Sequence, residues 1–180
     1  MHIEPDRMNI ALQLFEILIR RRQPEDLSYD INAAGLSFLA IVAMGYFITS
    51  MQAVYSQPLS YSIAQSITQG LAIYLVLKVA NKENRFVQTI TAIFGVSVIL
   101  QMASLIILQV PSLAAATLFL TLWNFYLALL ILKSALECSL LQSVVITIGY
   151  QVVVIFVLTL LFPELAKEFM SIVEESQKNA

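Results

Sequence analysis

The chain has 180 residues, of which 59% are apolar and only 12% are charged, with a formal net charge of −2. Charged residues are at about half their usual share in a globular chain, which leaves too few to cover a water-facing surface. The net charge by itself says nothing about nucleic acid, but no basic patch interleaved with aromatics occurs, so no nucleic-acid partner is expected.

The charges are also segregated. Ile31 to Leu77 is a run of 47 residues without Asp, Glu, Lys or Arg; Phe86 to Leu132 is a second run of 47, and Cys138 to Pro163 a third of 26. A helix rises ~1.5 Å per residue and ~20 apolar residues cross a bilayer core. Each long run therefore holds two spans and a turn, and the short run holds one. Stretches such as Ile93 to Leu100 and Leu127 to Leu132 lack the polar stripe a soluble amphipathic helix would carry. The expected fold is all-α: a polytopic integral membrane protein of five transmembrane helices, two hairpins plus one span, preceded by an amphipathic interfacial helix. The expected division is a cytoplasmic segment over 1–32, a transmembrane domain over 33–162 and an acidic amphipathic tail over 163–180.

In chain order, Met8 to Arg22 opens the pattern. Asn9, Gln13, Glu16 and Arg20 recur at spacings of four, three and four, opposite Met8, Ala11, Leu12, Phe15, Leu18 and Ile19. This spacing predicts a helix lying in the membrane interface. Arg20, Arg21 and Arg22 would be its lipid-interface anchors, and Gln23-Pro24 its end. The spans are expected at Ala33–Met51, Leu59–Val79, Val87–Leu108, Leu113–Leu132 and Val144–Phe162. Pro58 and Pro111 mark the bends of the two hairpins, because proline and the residue before it resist helix continuation. The tail, Glu164 to Asn179, aligns Leu165, Phe169, Ile172 and Val173 on one stripe and is expected to lie outside the membrane.

Charge also predicts orientation. With five spans, Arg7, Arg20, Arg21, Arg22, Lys78, Lys82, Arg85 and Lys133 fall on one side, and only Lys167 and Lys178 on the other. Basic loops resist translocation, so the N-terminus is expected in the cytoplasm and the C-terminus outside.

Chemistry-bearing residues are sparse. The single histidine, His2, and the single cysteine, Cys138, make no metal site and no nucleophile–base pair. The five glycines are scattered singly through the spans and form no phosphate loop. No cofactor and no enzymatic activity are expected. The spans also lack the ionisable groups that ion-coupled transport uses at membrane depth. Their polar side chains are neutral: Gln65 and Gln69 one turn apart, Gln101, Trp123-Asn124 at the middle of the fourth span, and Tyr150-Gln151. These are expected to be interhelical contacts, with Gln101 or Gln151 as candidate partners of Asn124. Alternatively they line a pocket in a small-solute permease or substrate-binding membrane subunit. Small residues four apart, Gly45/Thr49, Ser66/Gly70 and Thr91/Gly95, permit close helix approach.

Two stretches carry a family resemblance. Arg85 to Gly95 (RFVQTITAIFG) has a polar-aromatic start and an Ala-x-x-Gly-like pattern. Trp123 to Leu129 (WNFYLAL) is followed by Ala135-Leu136-Glu137 and a polar turn into Val144. With five spans and an amphipathic start, the region from Ala33 to Phe162 resembles the Yip (Ypt/Rab-interacting protein) membrane domain, in its short bacterial form. Eukaryotic members carry a longer cytosolic N-terminal region with an acidic Tyr-Gly-Pro-type motif. That motif does not occur here, so Rab binding is not implied. The resemblance implies a non-enzymatic, membrane-organising or partner-binding subunit of a bacterial inner membrane, in contact with the lipid bilayer and with a membrane-protein partner or a second copy of itself.

Overall fold

The computed structural model describes residues 10–51, 56–108 and 113–164. The described elements are all helical: α1 (Ile10–Leu18), α2 (Ile31–Ser50), α3 (Pro58–Val79), α4 (Phe86–Leu108), α5 (Ala114–Leu136) and α6 (Leu140–Leu161), with single 3-10 turns at Pro24–Asp26 and Glu83–Arg85. Helices α2 to α6 are each long and apolar enough to cross a membrane, and the chain is an integral membrane protein. The proposed turn at Gln109–Ser112, most of the turn before Pro58 and the tail beyond Glu164 lie outside the described residues.

Local chemistry sets the helix ends. Asp30 caps α2, its Oδ1 accepting from the backbone N–H of Asn32 at 2.8 Å and Ala33 at 3.2 Å, so the helix starts at Ile31 rather than Ala33. Pro58 occupies the first turn of α3, where its missing N–H costs nothing. The fourth span was expected to stop at Leu132, but α5 continues to Leu136 and α6 begins at Leu140. Lys133 does not break the helix; it sits in the last turn, where a cation suits the helix dipole. The bend needs only Glu137, Cys138 and Ser139. Glu137 takes a left-handed φ of 53°, and Glu137 N–H and Cys138 N–H close on Ser134 O and Lys133 O, a Schellman cap. Ser139 and Gln142 then form a capping box that opens α6.

The five long helices pack as a ring in the order α4, α2, α3, α6, α5 and back to α4, and α1 lies on α4 from outside the ring. Half of the α4 span is buried, against 17–28% of the others, which makes it the central helix. The interior is filled by Ile73, Leu77, Phe94, Ile131 and Leu132. Exposed leucines, valines and phenylalanines such as Leu39, Leu75, Phe119, Val152 and Phe156 cover the outside, as a surface bathed in acyl chains requires.

Small residues set the closest approaches. A Cβ on Gly45 would meet Ser62 Oγ at 3.2 Å, and Thr49 Oγ1 lies 3.4 Å from Ser62 Oγ, so α2 and α3 meet along the expected Gly45/Thr49 stripe. Gly95 is used differently: its neighbour is α1. A Cβ there would stand 2.4 Å from Leu14 Cδ1.

The N-terminal helix departs from its expected facing. Gln13, Leu14 and Ile17 are buried against the bundle, whereas Leu12, Phe15 and Ile19 stay exposed. The apolar face is thus turned to the surroundings, but Gln13, expected on the water-facing stripe, is turned into protein. Docking on α4 explains this, because a partner helix takes the seam between the two faces. The helix also ends at Leu18, before Gln23-Pro24. Arg20, at φ 61°, closes it with bonds from Arg20 N–H to Ile17 O and Arg21 N–H to Glu16 O. Met8 and Asn9 lie outside the described residues.

Candidate functional site

The intramembrane polar side chains fall into separate places. Between α4 and α5, Ser97 Oγ donates to Asn124 Oδ1 at 3.0 Å. Asn124 therefore finds its partner in Ser97, not in Gln101 or Gln151. A serine in a span reads as a small packing residue, so the sequence alone does not mark this hydroxyl as a partner. Between α3 and α6, the buried Tyr150 hydroxyl accepts from Gln151 Nε2 at 3.2 Å and also lies within hydrogen-bonding reach of Gln69. Gln65 is half-buried on α3, one turn before Gln69. Gln101 is half-buried on α4, and its Oε1 accepts no hydrogen bond. Trp123 stacks on Phe119 with centroids 6.2 Å apart and tilts against Tyr126 at 5.5 Å. An aromatic ladder thus runs along α5, and Arg20 lies over its last ring at 5.6 Å.

Gln65 and Gln69 lie on α3, Gln101 on α4 and Asn124 on α5. None of them lines the cavity between α1 and α5, the apolar groove of α2, α3 and α4, or the small pocket beside Arg85.

Polar chemistry concentrates instead at one end of the bundle, which carries Lys78, Lys82, Arg85 and Lys133. Glu137 is the hub. Its Oε2 accepts from Lys82 Nζ at 2.6 Å, and its Oε1 pairs with Arg85 Nη2. Arg85 Nη1 also donates to Ser134 O at 3.1 Å and Ala135 O at 3.3 Å, tying the start of α4 to the end of α5. The hydrogen bond from Lys82 and the charge of Arg85 hold the Glu137 carboxyl below its ordinary value of 4.5. Gln88 Nε2 donates to Leu27 O at 2.8 Å and pins the segment between α1 and α2 to α4. The sequence held one signal for this hub: Glu137 and Glu83 are the only acids in the internal connections on the basic side.

The predicted anchors divide. Arg20 and Arg22 line a cavity of about 480 Å³ with Lys133, between α1, Pro24 and α5. Arg21 is exposed and is not on its wall. Among the described residues no group of His, Cys, Asp or Glu could hold a metal ion. No protein-family model, curated protein or solved structure matches the chain.

Proposed function

We propose that the protein is a non-enzymatic, Yip-like integral membrane protein that organises the bilayer or binds a membrane-protein partner, such as a second copy of itself. We place it in a bacterial inner membrane with its N-terminus and basic end in the cytoplasm. The observation that supports this reading is the pairing of mid-membrane polar groups across helix interfaces, Ser97 with Asn124 and Gln69 with Tyr150, whose hydroxyl also accepts from Gln151 on its own helix. Groups used in this way hold helices together and leave little to bind a passing solute. The Yip resemblance of the third span and of the fourth-to-fifth connection points the same way.

Asn124→Leu tests it. Removing an amide whose partner hydroxyl can turn back to its own helix is near neutral, within about 1 kcal/mol. The variant should insert, melt in detergent within a few degrees of wild type (~1 kcal/mol moves Tm by only ~2–4 °C at this size), and keep its protein partner. That partner is to be captured by photo-crosslinkers at Leu39, Phe119 and Phe156, exposed positions on three different spans. One of these faces should capture protein and the others lipid alone. Lipid alone from all three contradicts the partner-binding form of the reading, and a solute flux in liposomes that a stable Asn124→Leu protein loses contradicts the reading as a whole and favours the permease.

A further inference from the structure

The cavity at the basic end has the two-part character of a phospholipid. Its rim carries Arg20, Arg22 and Lys133, and its floor includes Ile17, Leu127 and Ile131. Among the described side chains the rim is not neutralised from within. Both oxygens of Glu137, the carboxylate on its wall, are engaged by Lys82 and Arg85. Arg22 shares Glu16 only at 3.5 Å. Arg20 and Lys133 have no carboxylate within ion-pair distance among the described side chains.

Arg20 sits over the Tyr126 ring, on the α5 wall that also presents Leu127 and Ile131 to the cavity. A cation there, with no carboxylate partner among the described side chains, is suited to an anion. A soluble anion would gain nothing from the apolar floor, whereas a lipid satisfies rim and floor together.

We infer that this cavity binds an anionic phospholipid of the leaflet at the basic end, its phosphate held by Arg20, Arg22 and Lys133 and its glycerol and upper acyl chain lying on Ile17, Leu127 and Ile131. The site goes beyond the partner-binding reading and does not depend on it. It also separates the arginine triplet by function: Arg20 and Arg22 hold the lipid, while Arg21 contributes only general surface charge.

Full-length protein purified in mild detergent would be offered phosphatidylglycerol and phosphatidylcholine at equal mole fraction, and retained lipid counted by native mass spectrometry. Wild type should retain phosphatidylglycerol preferentially. Each basic residue is worth roughly a fivefold preference, so R20Q with K133Q together should lower retention by about 25-fold. R21Q should stay near wild type and K133R should retain most binding. Should the double variant fail to fold, R20Q and K133Q singly carry the comparison. Inorganic phosphate should not displace the lipid. Equal retention of the two lipids, or an R21Q loss as large as that of R20Q, overturns the site. Displacement by inorganic phosphate transfers it to a soluble anion and overturns the lipid assignment.

Discussion

Gly95→Leu is expected to expel α1 from the bundle while the five spans stay helical and inserted. Gly95 lies nine residues into α4, and Leu14 occupies the space a side chain would need: Leu14 Cδ1, Cδ2 and Cγ would stand 2.4, 2.8 and 3.2 Å from a new Cβ. The δ-carbons could rotate away from one methyl group, but Leu14 is itself buried. Gly95→Ala should therefore cost about 1–3 kcal/mol of docking, the usual penalty of overpacking. A leucine leaves no room for α1 at all. Hydrogen exchange reads the result directly. Amides of 10–18 should exchange much faster in Gly95→Leu, while those of α3 and α6 keep their protection. Leu14→Ala should restore docking in the Gly95→Ala background, because it vacates the contested space. Unchanged protection of 10–18 in Gly95→Leu would show that α1 is not seated on α4.

Arg85→Gln should have the next largest effect. Arg85 spans from the start of α4 to the last turn of α5, with two bonds to backbone carbonyls and one ion pair. Its side chain is 28% exposed, so the carbonyl contacts dominate, and their loss should cost about 2 kcal/mol. The ion pair itself is exposed and shows as a pH effect. The Glu137 carboxyl is held below its ordinary 4.5 in the folded protein. Its stabilisation is complete above that value and is lost as pH falls through the lowered folded value. Thermal stability in detergent should therefore decline on acidification below about pH 4.5, more steeply in wild type than in Glu137→Gln. Parallel declines would remove Glu137 from the account.

The architecture was legible because its cause is compositional. Charge-free runs of 47, 47 and 26 residues admit five spans and little else, and α2 to α6 fall within a few residues of their expected limits. The α5 end was not legible, since Lys133 reads as the start of a loop until the cap at Glu137 is seen. The facing of α1 was half legible. Periodicity separates a polar from an apolar stripe, but it does not show that a third element will claim the seam at Gln13, Leu14 and Ile17. The site was the least legible part. A lone Glu137 among cations and an arginine triplet are visible in the sequence, but their gathering with Lys133 around one cavity depends on which helices become neighbours. Asn124 met Ser97 for the same reason: two residues 27 apart are paired by the antiparallel register of α4 and α5.

The central claim is a five-span chain whose basic end stays in the cytoplasm, and one-sided thiol labelling of intact cells tests it most directly. With Cys138 replaced by Ala, single cysteines would be placed at Ser56 and at Asn84, exposed positions at opposite ends of the bundle. Ser56 Oγ donates to Glu164 Oε1 at 2.9 Å, so its label also reports the end at which α6 finishes. Asn84 lies among Lys82, Glu83 and Arg85. A membrane-impermeant reagent applied from outside should label the cysteine at Ser56, and label that at Asn84 only after the cells are lysed. Labelling at Asn84 in intact cells, or protection at Ser56, would contradict the account.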